Sequence, residues 1–423
     1  MVESPGEGQE TGWQPEVLEG SADEVRLRAT GESYALERSV RIEGHRIRVS
    51  DRLMNLSDRP TGIIIKHLLA APEAFQSCLL GGAPDLMAPG RAENPTIFAM
   101  SDGAGLGVYL EDTVLRLQCA MATSPNTASA QVEHFCLDAG EEYTADWLLY
   151  PMPSGNDYWD FINRVRGDIG VDYTILGPWS FFHVQSHRDL LQNPEALKAY
   201  LERKDLGVVA VMPWLDYDNM NLVTGELTTR DEYKQMMREA AAAFRAVKPD
   251  IKLIGCIESF PAQLSLEDAQ TLVDRIPGSV KTGWVSVAPE LFEGLQSVPA
   301  DRMACALRNP EGQMLVESYS RSGFEGPTRA MVALVTYPTL ENAQHAALMD
   351  QARFLMEDCE LDGLYIDCFS FSYDGAGARL RYSDEGWDGR TCDIDPETGA
   401  VTKRYVDAGL VGADARAALI NSV

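Results

Sequence analysis

Leu361-Asp362-Gly363-Leu364-Tyr365-Ile366-Asp367-Cys368-Phe369 is the stretch on which the fold turns. A helical run precedes it. Leu364 and Ile366 then make a short apolar pattern, which stops at a carboxylate followed by Cys368, Phe369 and Phe371. A strand that ends in Asp, with a loop behind it, is how a (β/α) barrel delivers a catalytic group to its mouth. Asp367 is therefore the first candidate for chemistry.

Upstream of this stretch the chain alternates strands and helices. Strands are expected at Tyr173–Leu176, Leu206–Met212, Ile251–Ile257, Met331–Val335 and Gly363–Asp367. Helices are expected at Thr229–Val247, Leu266–Arg275 and Leu340–Asp358, the first capped by Thr228 or Thr229 with Asp231 and Glu232 at its positive end. Met303–Leu307 and Gln313–Tyr319 flank Asn309-Pro310-Glu311-Gly312 and read as an inserted hairpin. Such alternation means a parallel sheet. Polar or aromatic residues at each strand end favour a TIM-like (β/α)8 barrel over a doubly wound sheet. About five barrel strands are legible where eight close the fold, so an incomplete barrel is expected. No G-x-G-x-x-G or P-loop opens a helix, which weakens a nucleotide-binding reading.

The first third has a different grammar. Residues 1–20 are rich in Glu, Gly and Pro and are expected to be loosely ordered. From Tyr34 onward, short alternating runs separated by turns such as Glu43-Gly44 and Asp138-Ala139-Gly140 predict an antiparallel β-sandwich over residues 21–152. Arg41, Arg46, Arg48 and Arg52 fall along one hairpin and read as a solvated face. Tyr150-Pro151-Met152-Pro153-Ser154-Gly155 marks a boundary. Residues 153–170 read as a linker helix packing on both domains, and 171–423 as the barrel.

Composition narrows the classes. The chain carries 64 acids against 36 bases, a net charge of −28. That disfavours non-specific contact with nucleic acid or an anionic membrane, and no apolar run is long enough to span a bilayer. The acidic N-terminus lacks the h-region of a signal peptide. The expectation is a cytoplasmic protein, or an extracellular or periplasmic one if the chain is a mature fragment. The eight cysteines form no CxxC pair and read as buried thiols. No cluster joins His to carboxylates at metal-ligand spacing, so neither metal nor cofactor is expected.

The acids expected at strand ends are Asp216, Asp218, Glu258 and Asp367, with Glu317 joining them if its hairpin folds over the mouth. Trp179, Trp214, Tyr217, Tyr337, Tyr365 and Trp387 accompany them. Carboxylates among aromatic platforms suit a sugar: rings stack on apolar pyranose faces, acids bond hydroxyls, and two acids can act as general acid and nucleophile or base. Asp367 and Glu258 are the expected catalytic pair. Trp179, His183, Trp214, Asp216, Asp218, Glu317, Tyr337, Tyr365, Trp387 and Asp388 are the expected substrate contacts. Each has a plainer reading: Asp216-Tyr217-Asp218-Asn219 also fits a turn, and Trp179 and Trp214 also fit a core.

A β-sandwich of the galactose-mutarotase-like kind, a helical linker, and a barrel strand ending in Gly363-Leu364-Tyr365-Ile366-Asp367 together resemble glycoside hydrolases of the α-galactosidase-like and α-glucosidase-like barrel groups. The resemblance implies that Asp367 is the nucleophile and that an acid/base carboxylate lies on a later strand. The expected function is hydrolysis of glycosidic bonds in an oligo- or polysaccharide. The rivals are a non-catalytic carbohydrate-binding scaffold with a degenerate barrel and a polysaccharide lyase.

Overall fold

The computed structural model describes residues 14–84, 94–217, 219–276, 282–321, 329–369, 380–381, 386–395 and 398–423, together with Val2–Glu3. The chain divides into two compact units. One comprises Met1–Tyr173 with Ser383–Val406, the other Thr174–Tyr382 with Asp407–Val423.

Among the described residues the first unit holds two large antiparallel sheets, of nine and four strands, and one short hairpin. Its longest hairpin joins Tyr34–Glu43 to Arg46–Asn55, with Glu43 opposite Arg46 and Gly44 at φ 62° in the turn. That left-handed conformation suits glycine, which has no Cβ to clash. Along Arg46–Asn55 buried residues alternate with half-buried ones, as a strand with one core face requires. Val49, Leu53 and Trp147 of the larger sheet and Ile63, Ile65 and Phe135 of the smaller are buried. The arginines are more than a solvated face. Arg38 pairs with Asp51 at 2.6 Å, Arg46 with Asp168 at 3.1 Å, Arg48 with Glu111 and Arg52 with Glu142.

The expected linker helix is Tyr158–Asp168, opened by a capping box between Asp157 and Asp160. Its buried face, Tyr158, Phe161 and Val165, joins Phe98, Tyr109, Leu148 and Tyr150 in a cluster of the first unit. Phe161 stacks on Phe98 at 5.7 Å. Near the C-terminus, Cys392–Ile394 pairs with Val401–Arg404 as a hairpin of the same unit. The single assignment of 171–423 to a barrel thus differs from the observed division.

In the second unit the strands of the two main sheets are β1 (Trp179–His183), β2 (Val208–Met212), β3 (Lys252–Glu258), β4 (Pro261–Gln263), β5 (Thr282–Val287), β6 (Met314–Arg321), β7 (Arg329–Val335) and β8 (Gly363–Asp367). A parallel sheet runs β1-β2-β3-β8, and an antiparallel sheet runs β4-β7-β6-β5. Among the described residues the parallel sheet has four strands, and no closed barrel forms. Three expectations change here. Tyr173–Leu176 is not a strand: Gly177 at φ 83° and Pro178 interrupt the run, and pairing begins at Trp179 opposite Val208. Met331–Val335 lies in the antiparallel sheet, with Leu334 opposite Val316. A short, fully apolar run reads the same in either kind of sheet, so periodicity alone could not place it. The expected hairpin of Met303–Leu307 forms only near its turn, where the Leu315 N–H donates to the Leu307 carbonyl at 3.0 Å and Arg308 bridges Met314; Ala300–Met303 is a helical turn, and the longer pairings of β6 are with β5 and β7.

Helices cover one face of the parallel sheet. Helix α1 (Pro194–Lys204) is capped by Asn193 with proline at its start. Helix α2 (Arg230–Val247) is capped by Thr229 in a capping box with Glu232. Helix α3 (Ala343–Arg353) is capped by Asn342 and continues as a π-helical turn over Phe354–Asp358. Phe182, Val209, Val211, Leu253 and Ile257 point into a core with Leu197, Leu201, Tyr233, Met237, Phe244, Leu348 and Leu355. Side chains alternate across a strand, so Trp179, Phe181, Cys256, Glu258, Tyr365 and Asp367 share the other face.

Candidate active site

Parallel pairing places Glu258 of β3 directly beside Asp367 of β8, with Cys256 beside Tyr365 one step earlier on the same face. Both carboxylates therefore sit at the C-terminal ends of adjacent strands, where parallel sheets carry their sites. The chain turns sharply there: Cys368 is at φ 48°, its N–H donates to Asp367 Oδ1 at 2.8 Å, and its carbonyl accepts from Ser259 Oγ at 2.6 Å.

Glu317 of β6 joins this pair. Trp284 lies across from it on β5, and the Tyr217 hydroxyl donates to Glu317 Oε2 at 2.6 Å. Burial pushes the Glu258 carboxyl up to about 8, and the charges of Glu317 and Asp367 add to the rise. Burial also raises Glu317, against the lowering pull of hydrogen bonds from Tyr217 and Trp284. A carboxyl that stays protonated near neutral pH is suited to give a proton as a general acid.

The aromatic residues form a platform on the same face. Tyr365 stacks between Trp179 and Trp214, with ring centroids 5.7 Å and 5.5 Å away, and Phe181 meets its edge at 5.0 Å. Trp179 is 41% exposed and Phe181 40%. These rings stand open rather than packed in a core, which suits stacking on a sugar face. Phe181 and Trp284 were missed by the sequence reading. The alternation through Trp179 would have placed Phe181 on this face and Phe182 in the core. Nothing local marks Trp284, which becomes relevant only through its pairing with Glu317.

Other expected contacts have different settings. Asp216, at φ 53°, is held by Arg230 and by Gln351 Nε2 at 3.3 Å, and Arg230 also holds Asp350 at 2.7 Å. This is an ion-pair junction between elements. Asp218 lies outside the described residues. His183 ends β1, and its Nδ1 accepts from the Ser186 N–H at 3.4 Å. Tyr337 is buried in a cluster with Phe260, Leu307, Leu315 and Val335, so it packs rather than lines a surface. Trp387 and Asp388 belong to the first unit. Trp387 Nε1 donates to the Thr391 carbonyl at 2.9 Å, and the Arg404 guanidinium lies 4.2 Å over its ring. Asp388 accepts from the backbone N–H groups of Arg390 and Thr391 at 2.8 and 2.7 Å, which is a turn-forming role.

Among the described residues no group of three His, Cys, Asp or Glu is placed to hold a metal ion. No helix among them is long and apolar enough to cross a membrane.

No family model matches the sequence, and no curated protein matches it. Solved structures give low-identity likenesses. The α-N-acetylgalactosaminidase NagBb from Bifidobacterium bifidum is 11% identical with a TM-score of 0.46, over 87% of this chain and 64% of that one. A GH31 family sulfoquinovosidase from E. rectale is 12% identical with a TM-score of 0.38, over 82% of this chain and 49% of that one. A galactose mutarotase-like protein from Lactobacillus casei is 10% identical with a TM-score of 0.22, over 33% of this chain and 73% of that one. This chain thus spans less than two thirds of the two hydrolases it is similar to.

Proposed function

We propose that this chain is a glycoside hydrolase that cleaves its substrate with Glu258 as general acid and Asp367 as nucleophile. The observation that supports this is the side-by-side placement of the two carboxyls on adjacent parallel strands, one protonated up to about pH 8. Adjacent strands lie about 4.8 Å apart. That spacing is closer to the roughly 5–5.5 Å between carboxyls in retaining enzymes than to the roughly 6.5–9.5 Å of inverting ones. The reading is therefore double displacement with retention. Asp367 attacks the anomeric carbon while Glu258 gives its proton to the leaving oxygen; Glu258 then takes a proton from the water that releases the sugar. Tyr365, Trp179, Trp214 and Phe181 supply the stacking surface for the substrate.

Aryl glycosides and oligosaccharides would be screened for release of reducing sugar, and the first-formed anomer followed by proton NMR. Retention, and its loss in Asp367→Asn, is the expected result. Sugar binding with no release by the wild-type protein would replace the hydrolase reading with a carbohydrate-binding one.

A further inference from the structure

We propose that Ser259 is a positioning residue, whose hydroxyl holds the turn after β8 so that the Cys368 N–H stays aimed at Asp367 Oδ1. This rests on the reading of Asp367 as the nucleophile. Ser259 directly follows Glu258 at the end of β3 and is fully buried. It joins one strand end to the other. Its N–H donates to the Asp367 carbonyl at 3.2 Å, and its Oγ donates to the Cys368 carbonyl at 2.6 Å. Any residue but proline can make the first bond. The second requires a side-chain donor of this length.

Cys368 needs that support. At φ 48° it lies in the left-handed region, which a residue with a Cβ enters at a cost and keeps only where its surroundings hold it. The same turn brings its N–H to 2.8 Å from Asp367 Oδ1. With the Cys368 carbonyl held by Ser259 and its amide on the carboxyl, Asp367 has one oxygen committed and Oδ2 left to attack. Rotation of the carboxyl would carry that oxygen off line, and a misplacement of about 1 Å costs a reaction about 10²-fold.

Ser259 is itself anchored from behind. Gln344 of α3 is buried and donates Nε2 to the Ser259 carbonyl at 3.1 Å. Arg302 donates to Gln344 Oε1 at 2.7 Å and to the Pro261 carbonyl at 3.2 Å. The Phe260 carbonyl accepts the Thr336 N–H and hydroxyl at 2.8 and 2.6 Å. Donors from α3, from the helical turn Ala300–Met303 and from the residue after β7 thus fix residues 259–261, and buried polar groups satisfied in this way rigidify a site. Alanine at 259 removes the link to β8 and leaves these backbone anchors in place.

The test reads the Cys368 amide. In protein labelled with ¹⁵N-cysteine, with Cys368→Ala assigning the signal, the wild-type Cys368 N–H should lie downfield and exchange slowly with solvent. Ser259→Ala should move it upfield and speed its exchange about tenfold. Ser259→Cys, whose thiol is a weaker donor, should move it part-way. With an aryl glycoside, kcat per folded molecule should fall about 10²-fold in Ser259→Ala while KM changes by less than about twofold. A residue that only stabilised the fold would lower the melting temperature and leave that kcat alone. An unchanged Cys368 amide in folded Ser259→Ala overturns the proposal, even if turnover drops, and so does an unchanged kcat beside a shifted amide. Should Ser259→Ala not fold, Ser259→Cys decides, and no shift there overturns it. A shifted amide in a protein that hydrolyses no glycoside would retain the positioning of Asp367 and remove the hydrolase reading.

Discussion

Acids meet two different fates in this molecule. Along the arginine-rich hairpin of the first unit, Asp51, Glu111, Glu142 and Asp168 each face a guanidinium. In the second unit Glu258 and Asp367 stand at adjacent strand ends, Glu317 midway along β6 acts on Glu258, and no Lys or Arg among the described residues does. Paired charges cross-link strands and leave little chemistry to do. Burial and neighbouring acids raise Glu258 and Glu317, which destabilises the fold locally and leaves Glu258 able to give up a proton near neutral pH. The difference separates a structural charge network from a candidate active site better than the number of acids does.

The sharpest break between the two regions is Asp367→Asn. Turnover should fall by at least about 10³-fold while the melting temperature stays nearly unchanged; an active variant would end the catalytic assignment. Asp51→Ala should behave in the opposite way. Asp51 is buried, pairs with Arg38 and accepts from Trp147 Nε1 at 2.9 Å. Its loss leaves a guanidinium and an indole N–H without their acceptor, a cost of about 3 kcal/mol in urea unfolding, with activity per folded molecule retained.

Glu258→Gln tests the energetic side of the contrast. The unfolded chain releases this proton near the usual 4.5, while the folded chain holds it to about 8. Stability conferred by the bound proton is full below the lower value and is lost as pH rises through the window between them. The variant lacks that slope. It should match wild type near pH 4.5 and exceed it at pH 9 by up to about 5 kcal/mol, read from denaturation curves at both pH values. Trp179→Ala should raise KM about tenfold with little change in melting temperature, because the ring is already exposed. The smallest effect belongs to Arg52→Ala. Its pair with Glu142 is solvent-exposed and its contact with the half-buried Glu37 is long, at 3.4 Å, and a change in melting temperature of at most about 1 °C is expected.

Much of this was readable from local pattern. The β character of the first third follows from alternation and turn residues, and the start of α2 from the Thr229–Glu232 capping box. The end of β8 at Asp367 follows from an apolar run halted by a carboxylate. Sites that depended on composition fared less evenly. Tyr337 has the aromatic character of a platform residue and lies in a core; Trp387 and Asp388 have the character of a sugar contact and serve a turn of the first unit. Residue type reports what a side chain can do, whereas its neighbours decide what it does.

Sequence alone determined that Asp367 would stand at a strand end, because alternation and chain breaks are local and written in consecutive residues. Only the tertiary structure decided that Glu258 is the residue beside it, that Phe181 rather than Phe182 shares their face, and that Glu317 arrives from a separate antiparallel sheet. Those are matters of register between strands far apart in the chain. A shift of one residue would turn every side chain to the opposite face, and nothing in a single strand's own pattern specifies which partner it will meet.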